Sequence, residues 1–406
     1  MKKILFFCAL FFSFNLFAFY EVSDLNIAEN ENTISEMSGS GETNGYKIVW
    51  EDNFNDSTLD ETNRWTVEVN GDGGGNSELQ YYTRQNIRVG VEPQSGLGCL
   101  IITAKKQNYL GKTCTSGRLT SQNKMSFKHG KVEARIKFPK TANGLWPAFW
   151  MLGTDIATYS WPKCGEIDIV EMGNSSAFNN SMQERYFSGW CHWGESWNNG
   201  AYPNWGQARN AAYSLQDDFH LFTLIWDDEY VKMYLDLDKY PNNSPYMQMA
   251  INGVDVEGEA AHYFHKQFFV ILNLAIGGNF TQIWEIGKVT ALNSNNNYTA
   301  NMYVDFVRVY QKGDDSEEFN GLLESSVKTA KDESNFSLYP VPATDYLKVS
   351  GGYVPAFIRI YSMQGVQLLV ARNTSELNIS ELSSGNYIAS IVTADGKSES
   401  HIFSKK

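Results

Sequence analysis

Residues 165–171 read Gly-Glu-Ile-Asp-Ile-Val-Glu, three carboxylates inside an apolar, β-branched run. Ile167, Ile169 and Val170 mark the segment as a strand. Side chains of a strand alternate between its two faces, so Glu166 and Asp168 share one face and Ile167 and Ile169 the other. Plain alternation would then send Glu171 in among the apolar side chains. An unpaired buried carboxylate costs several kcal/mol, so a regular strand conflicts with this sequence. A β-bulge over 169–171 removes the conflict, because one extra residue resets the alternation and returns Glu171 to the acidic face. Three acids on one strand face repel one another, which raises at least one pKa.

The rest of the chain supports a sheet environment for that strand. From residue 46 to 311, short alternating runs are separated by Gly, Asn and Asp; examples span 131–138, 220–226, 230–235 and 303–310. Many strands and few helical patterns predict an all-β sandwich or jelly roll of one large domain. Its closing strand, near 303–310, is expected beside the strands that open it. Ahead of it, 1–18 has Lys2 and Lys3 followed by an apolar run, which reads as a secretory signal peptide, and 19–45 as a flexible polar leader. Residues 313–334 break the pattern with Asp-Asp-Ser-Glu-Glu and read as a linker. Short strands resume over 335–406, enough for a small second β-sandwich, and no Trp lies there.

A formal net charge of -13 argues against nucleic acid as a partner and fits a neutral polymer better. Tyr, Phe and Trp number 22, 24 and 11, suiting either a large β core or sugar faces met by aromatic faces. Beyond the signal segment four cysteines remain, Cys99, Cys114, Cys164 and Cys191. Export permits disulfides, and the three pairings stay open. No Cys-x-x-Cys pair suggests a zinc site.

A lone Trp is core by default, but six fall between residues 146 and 197 around the acidic strand: Trp146, Trp150, Trp161, Trp190, Trp193 and Trp197. That concentration favours a sugar cleft. His192 can donate a hydrogen bond to substrate or to an acid, although a lone His is as often structural. His262 and His265 lack an acidic third ligand, so a metal site there is not expected. Gly111-Lys-Thr113 lacks the Gly at 106 that a phosphate loop requires, and no Gly-x-Ser-x-Gly elbow occurs.

The motifs Trp146-Pro-Ala-Phe-Trp-Met-Leu-Gly153, Trp161-Pro-Lys-Cys-Gly-Glu-Ile-Asp-Ile-Val-Glu171 and Asn76-Ser-Glu-Leu-Gln-Tyr-Tyr-Thr83 resemble glycoside hydrolase family 16, in its laminarinase-like branch. Trp50-Glu-Asp-Asn-Phe54, His129-Gly-Lys-Val-Glu-Ala-Arg-Ile136 and Leu272-Asn-Leu-Ala-Ile-Gly-Gly278 support it. The resemblance spans 46–312 and implies a concanavalin-like jelly roll whose concave face binds a β-glucan. It implies Glu166 as nucleophile, Glu171 as acid/base and Asp168 as the assisting acid between them, in a retaining endo-β-glucanase. Substrate contacts would fall to Asn76, Glu78, Arg84, Trp146, Trp150, Trp161, His192 and Trp193. The chemistry needs no cofactor. The family resemblance also implies a structural calcium on the convex face, with Asp305 as a ligand. A non-catalytic β-glucan-binding protein and an enzyme for a neutral galactan are the alternatives. The tail, from Phe336-Ser-Leu-Tyr-Pro-Val-Pro-Ala-Thr-Asp-Tyr-Leu-Lys-Val349 to Leu382-Ser-Ser-Gly-Asn-Tyr-Ile388, resembles a type IX secretion sorting domain, characteristic of Bacteroidetes. It implies a secreted or cell-surface protein handled by that machinery, here expected to be a monomer.

Overall fold

The computed structural model describes residues 45–196, 201–322, 336–351, 354–362, 367–392 and 398–406. The signal segment, the leader up to residue 44, the 323–334 part of the linker, residue 335 and Trp197 lie outside the described residues.

Two large sheets, one of ten strands and one of nine, enclose the main core. The core takes Trp50, Ile102, Val132 and Phe222 from the ten-stranded sheet, and Phe149, Ile167 and Leu272 from the nine-stranded one. The strand Lys47–Asp52 pairs antiparallel with Thr299–Gln311, so the two ends of the domain close on each other as the sequence predicts. The nine-stranded sheet carries the acidic strand near its middle. Its order runs Asn204–Asn210, Tyr186–His192, Glu166–Met172, Leu145–Gly153, Phe268–Ile276, Arg118–Thr120 and Thr66–Val67.

A second, separate core forms in the tail around Leu347, Ile358, Ile360, Ile391 and Phe403. It lies between a three-stranded and a four-stranded sheet, the small β-sandwich that the sequence predicts. The disulfides that export would permit are not made. Cys99, Cys114, Cys164 and Cys191 are all unpaired, buried thiols packed as small apolar side chains.

Candidate active site

The acidic strand is bulged where its sequence requires. Against Leu145–Gly153, Val170 faces Phe149 while Asp168 faces Trp150, so Ile169 has no partner of its own. On the other side Asp168 faces Trp190 and Glu171 faces Ser188, leaving two residues opposite Gly189. Ile167, Ile169, Val170 and Met172 are fully buried in the main core. At about 1.5–3 kcal/mol for each large apolar side chain buried, those four fix which way the strand faces. The Tyr246 hydroxyl donates to the Ile169 carbonyl, satisfying a group that the bulge takes out of the ladder. Gly189 leaves room for this, since a Cβ there would meet Tyr246 Cε2 at 3.0 Å.

All three acids therefore sit on the face turned away from the core. Trp146 Nε1 donates to Glu171 Oε1 at 2.9 Å. His192 Nε2 stands 3.1 Å from Asp168 Oδ2 and 4.0 Å from Glu166 Oε1. His192 Nδ1 is buried without a partner among the described residues, so Nε2 is the ring nitrogen that meets the acids. Burial pushes the Asp168 carboxyl up to about 8 and, with the Asp168 charge adding to it, pushes Glu171 up to about 8 as well. Glu166 is raised well above the usual range, by burial first and then by Asp168. His192 and Arg118 oppose that rise. Glu166 is the more open acid, with 17% of its side chain exposed against 7% for Asp168.

A second network stands beside the acids. Trp150 Nε1 donates to Asn273 Oδ1 at 2.7 Å, Asn273 Nδ2 reaches the Tyr82 hydroxyl at 3.4 Å, and that hydroxyl donates to Glu78 Oε2 at 2.9 Å. Gln80 Nε2 adds a bond of 2.5 Å to the same Glu78 oxygen. The Arg118 guanidinium lies 4.8 Å over the Trp150 ring and pairs with Glu68 at 3.1 Å.

The sequence-predicted residues divide accordingly. Trp146, Trp150, His192 and the three acids come together. Trp161 joins them through contact with Tyr202 at 4.7 Å and His192 at 6.3 Å. Glu78 belongs to the site as a buried support and is not a surface contact. Gly74 lies against its carboxylate so closely that a Cβ there would fall 2.4 Å from Oε1. Asn76 is turned into its own loop, with its amide toward the Gly74 carbonyl and its backbone carbonyl accepting from Asn279.

Two expected contacts are not brought to the acids. Arg84 is held by Glu61 at 2.5 Å and by the Ile87 carbonyl at 2.6 Å. Trp193 is one residue past His192 and so falls on the opposite face. It packs on Phe264 and donates to the Gly258 carbonyl. The residues beside the acids that the sequence reading missed are Arg118, Tyr82, Asn273, Tyr202 and Phe280. Asn273 was legible, as the one polar residue in the apolar strand Phe268–Ile276. The others gave no local signal.

Asp305 does not fit a calcium ligand here, because its Oδ2 accepts from Arg135 Nη1 at 2.8 Å and a cation is already at that carboxylate. His262 pairs with Asp255 and His265 with His129, so the two do not converge on a metal. Among the described residues, the only His/Cys/Asp/Glu group of metal-ligand spacing is Glu166, Asp168 and His192.

Comparison with known proteins agrees with this geometry. The model of the glycosyl hydrolases family 16 matches residues 75–249, and that of the secretion system C-terminal sorting domain matches 337–405. The chain is 36% identical over 268 residues to the clotting factor G alpha subunit of Tachypleus tridentatus. It is 30% identical over 286 residues to the glucan endo-1,3-beta-glucosidase A1 of Niallia circulans. It spans only 34% and 38% of those two proteins. It is 33% identical over 278 residues to a beta-glucanase of Rhodothermus marinus, which covers 66% of this chain and 85% of the relative. Among solved structures, a Bacteroides ovatus mixed-linkage-glucan family 16 enzyme in complex with its G4G4G3G product is 37% identical. It has a TM-score of 0.55 and covers 64% of this chain and 99% of its own. With its acids on a bulged strand of a two-sheet sandwich, this chain belongs to family 16 of the glycosyl hydrolases and ends in a secretion-system sorting domain.

Proposed function

We propose that the protein is a secreted, retaining endo-β-glucanase that cleaves β-1,3-glucans, mixed-linkage β-1,3-1,4-glucans or both by double displacement. The observation that carries this reading is the unequal setting of three carboxylates on one strand face. Glu171 is buried, pushed up to about 8, and among the described residues holds a donor on only one of its oxygens, so it is protonated at neutral pH and serves as the acid. Glu166 is the more open and faces His192 and Arg118. Burial raises all three acids, yet the reaction needs one ionised. His192 opposes the rise at both Glu166 and Glu171, whereas Arg118 opposes it at Glu166 and not at Glu171, which supports Glu166 as the ionised one.

In the first step Glu166 attacks the anomeric carbon while Glu171 gives its proton to the departing glycosidic oxygen, so the C–O bond breaks as the glycosyl–Glu166 ester forms. In the second, Glu171 takes a proton from water, which attacks the same carbon and releases Glu166 with overall retention. Asp168, held by His192, fixes the local charge between the two. No metal or cofactor is needed for these steps. The sorting tail fits export through the type IX machinery.

Digestion of laminarin and mixed-linkage β-glucan side by side tests the reading, with products sized and the first-formed anomer read by proton NMR. Release of the β-anomer from at least one polymer is expected. Binding without any new reducing ends would instead identify a glucan-binding protein, and first release of the α-anomer would remove the double displacement.

A further inference from the structure

Trp190 stands in register with Asp168 on one side and Gly206 on the other, so Trp150 and Trp190 flank the central acid from opposite neighbouring strands. Alternation along Tyr186–His192 buries Phe187 and Cys191 in the core. It turns Trp190 to the same face as His192, whose ring lies nearly parallel to it, at 19° and 6.1 Å. The indole lies flat on Gly206. A Cβ at that position would fall 2.2 Å from Trp190 Cδ2 and 2.3 Å from Cε3, so only glycine permits this arrangement.

Its indole N–H also sets Trp190 apart. Trp146, Trp150 and Trp193 each donate to a protein acceptor: Glu171, Asn273 and the Gly258 carbonyl. Trp190 is half-buried, and its N–H has no acceptor among the described residues. An indole with one face fixed by backbone and an unused donor suits a pyranose, which offers C–H groups to the ring and hydroxyls to the N–H.

We propose that Trp190, seated on Gly206, is the sugar-stacking platform on the far flank of the acids from Trp146 and Trp150. This rests on the β-glucanase reading above and deepens it. With a platform on each side, a bound chain must cross the acidic strand and be cut internally.

The test uses the full chain with Glu166→Gln, titrated calorimetrically with a hexasaccharide of whichever glucan the wild type cleaves. Adding Trp190→Ala should weaken binding about tenfold, the size of one lost aromatic contact, while Trp190→Phe stays within about threefold of the parent. Gly206→Val, which lifts the ring from beneath, should weaken binding in the same direction and serves if the Trp190→Ala chain does not fold. Hexasaccharide binding by folded Trp190→Ala equal to that of the parent overturns the platform. If the wild type cleaves neither glucan and the parent binds neither hexasaccharide, the β-glucanase reading itself fails, and the platform with it.

Discussion

The Trp146 indole donates its N–H to Glu171 Oε1 across 2.9 Å, while its ring stacks on Phe280 at 4.8 Å and 16°. One side chain thus both braces the acid and tunes it, since that hydrogen bond opposes the rise that burial imposes on Glu171. Trp146→Phe keeps the stacking and removes the donor. The Glu171 carboxyl should then move further up, so the alkaline limb of the kcat/KM profile shifts to higher pH while the rate falls about tenfold. A profile of kcat/KM against pH checks this, and an unmoved alkaline limb would show that the bond does not govern the proton.

Glu166→Gln and Glu171→Gln should each lower turnover by about a hundredfold or more, the scale of a lost proton-transfer or nucleophilic group. Azide offered to the Glu171→Gln enzyme separates acid/base loss from misfolding, because it can attack the glycosyl–Glu166 ester without general-base help. Rates near wild type in either variant remove that residue from the proposed chemistry.

The same acids set the pH dependence of stability. A carboxyl whose folded pKa is raised contributes stability that is fully present below its ordinary value and is lost as pH rises through about 8, the value for Asp168 and Glu171. Glu171→Gln abolishes that loss. Its melting temperature should exceed that of the wild type at pH 9, and the gap should shrink toward pH 5. A gap that does not change with pH would show that Glu171 titrates normally in the folded chain.

Asn273 joins Trp150 to the Tyr82–Glu78 pair, and Asn273→Ala leaves the Trp150 N–H and the Tyr82 hydroxyl each short of a partner. The expected cost is about 1–3 kcal/mol of unfolding free energy, from unsatisfied buried polar groups, with a rise in KM as Trp150 loosens. Urea denaturation and steady-state kinetics report the two effects separately.

The pairing of Asp305 with Arg135 predicts that chelation leaves the melting temperature unchanged, because the guanidinium already neutralises that carboxylate. Thermal melts with EDTA and with millimolar calcium check it. A rise of several degrees with calcium would show that a cation takes Asp305 in spite of Arg135.

The strand content, the acidic face and the bulge were all legible in sequence, because side-chain alternation is a local property and 165–171 violates it in only one place. The pairing of the opening and closing strands was legible for the same reason, from two matching alternating runs. Which distant residues surround the acids was not. Arg118 and Tyr82 reach the site only because the Arg118–Thr120 strand pairs with Phe268–Ile276, and the loop carrying Glu78 folds over that edge. Arg84 and Trp193 show the converse. Each lies close in sequence to residues that do meet around the acids, but one is held by Glu61 and the other is turned away by a single step of alternation. Local periodicity fixes which face a residue takes, whereas the neighbours it meets there depend on strand order, and strand order is decided only when the two sheets bury their shared core.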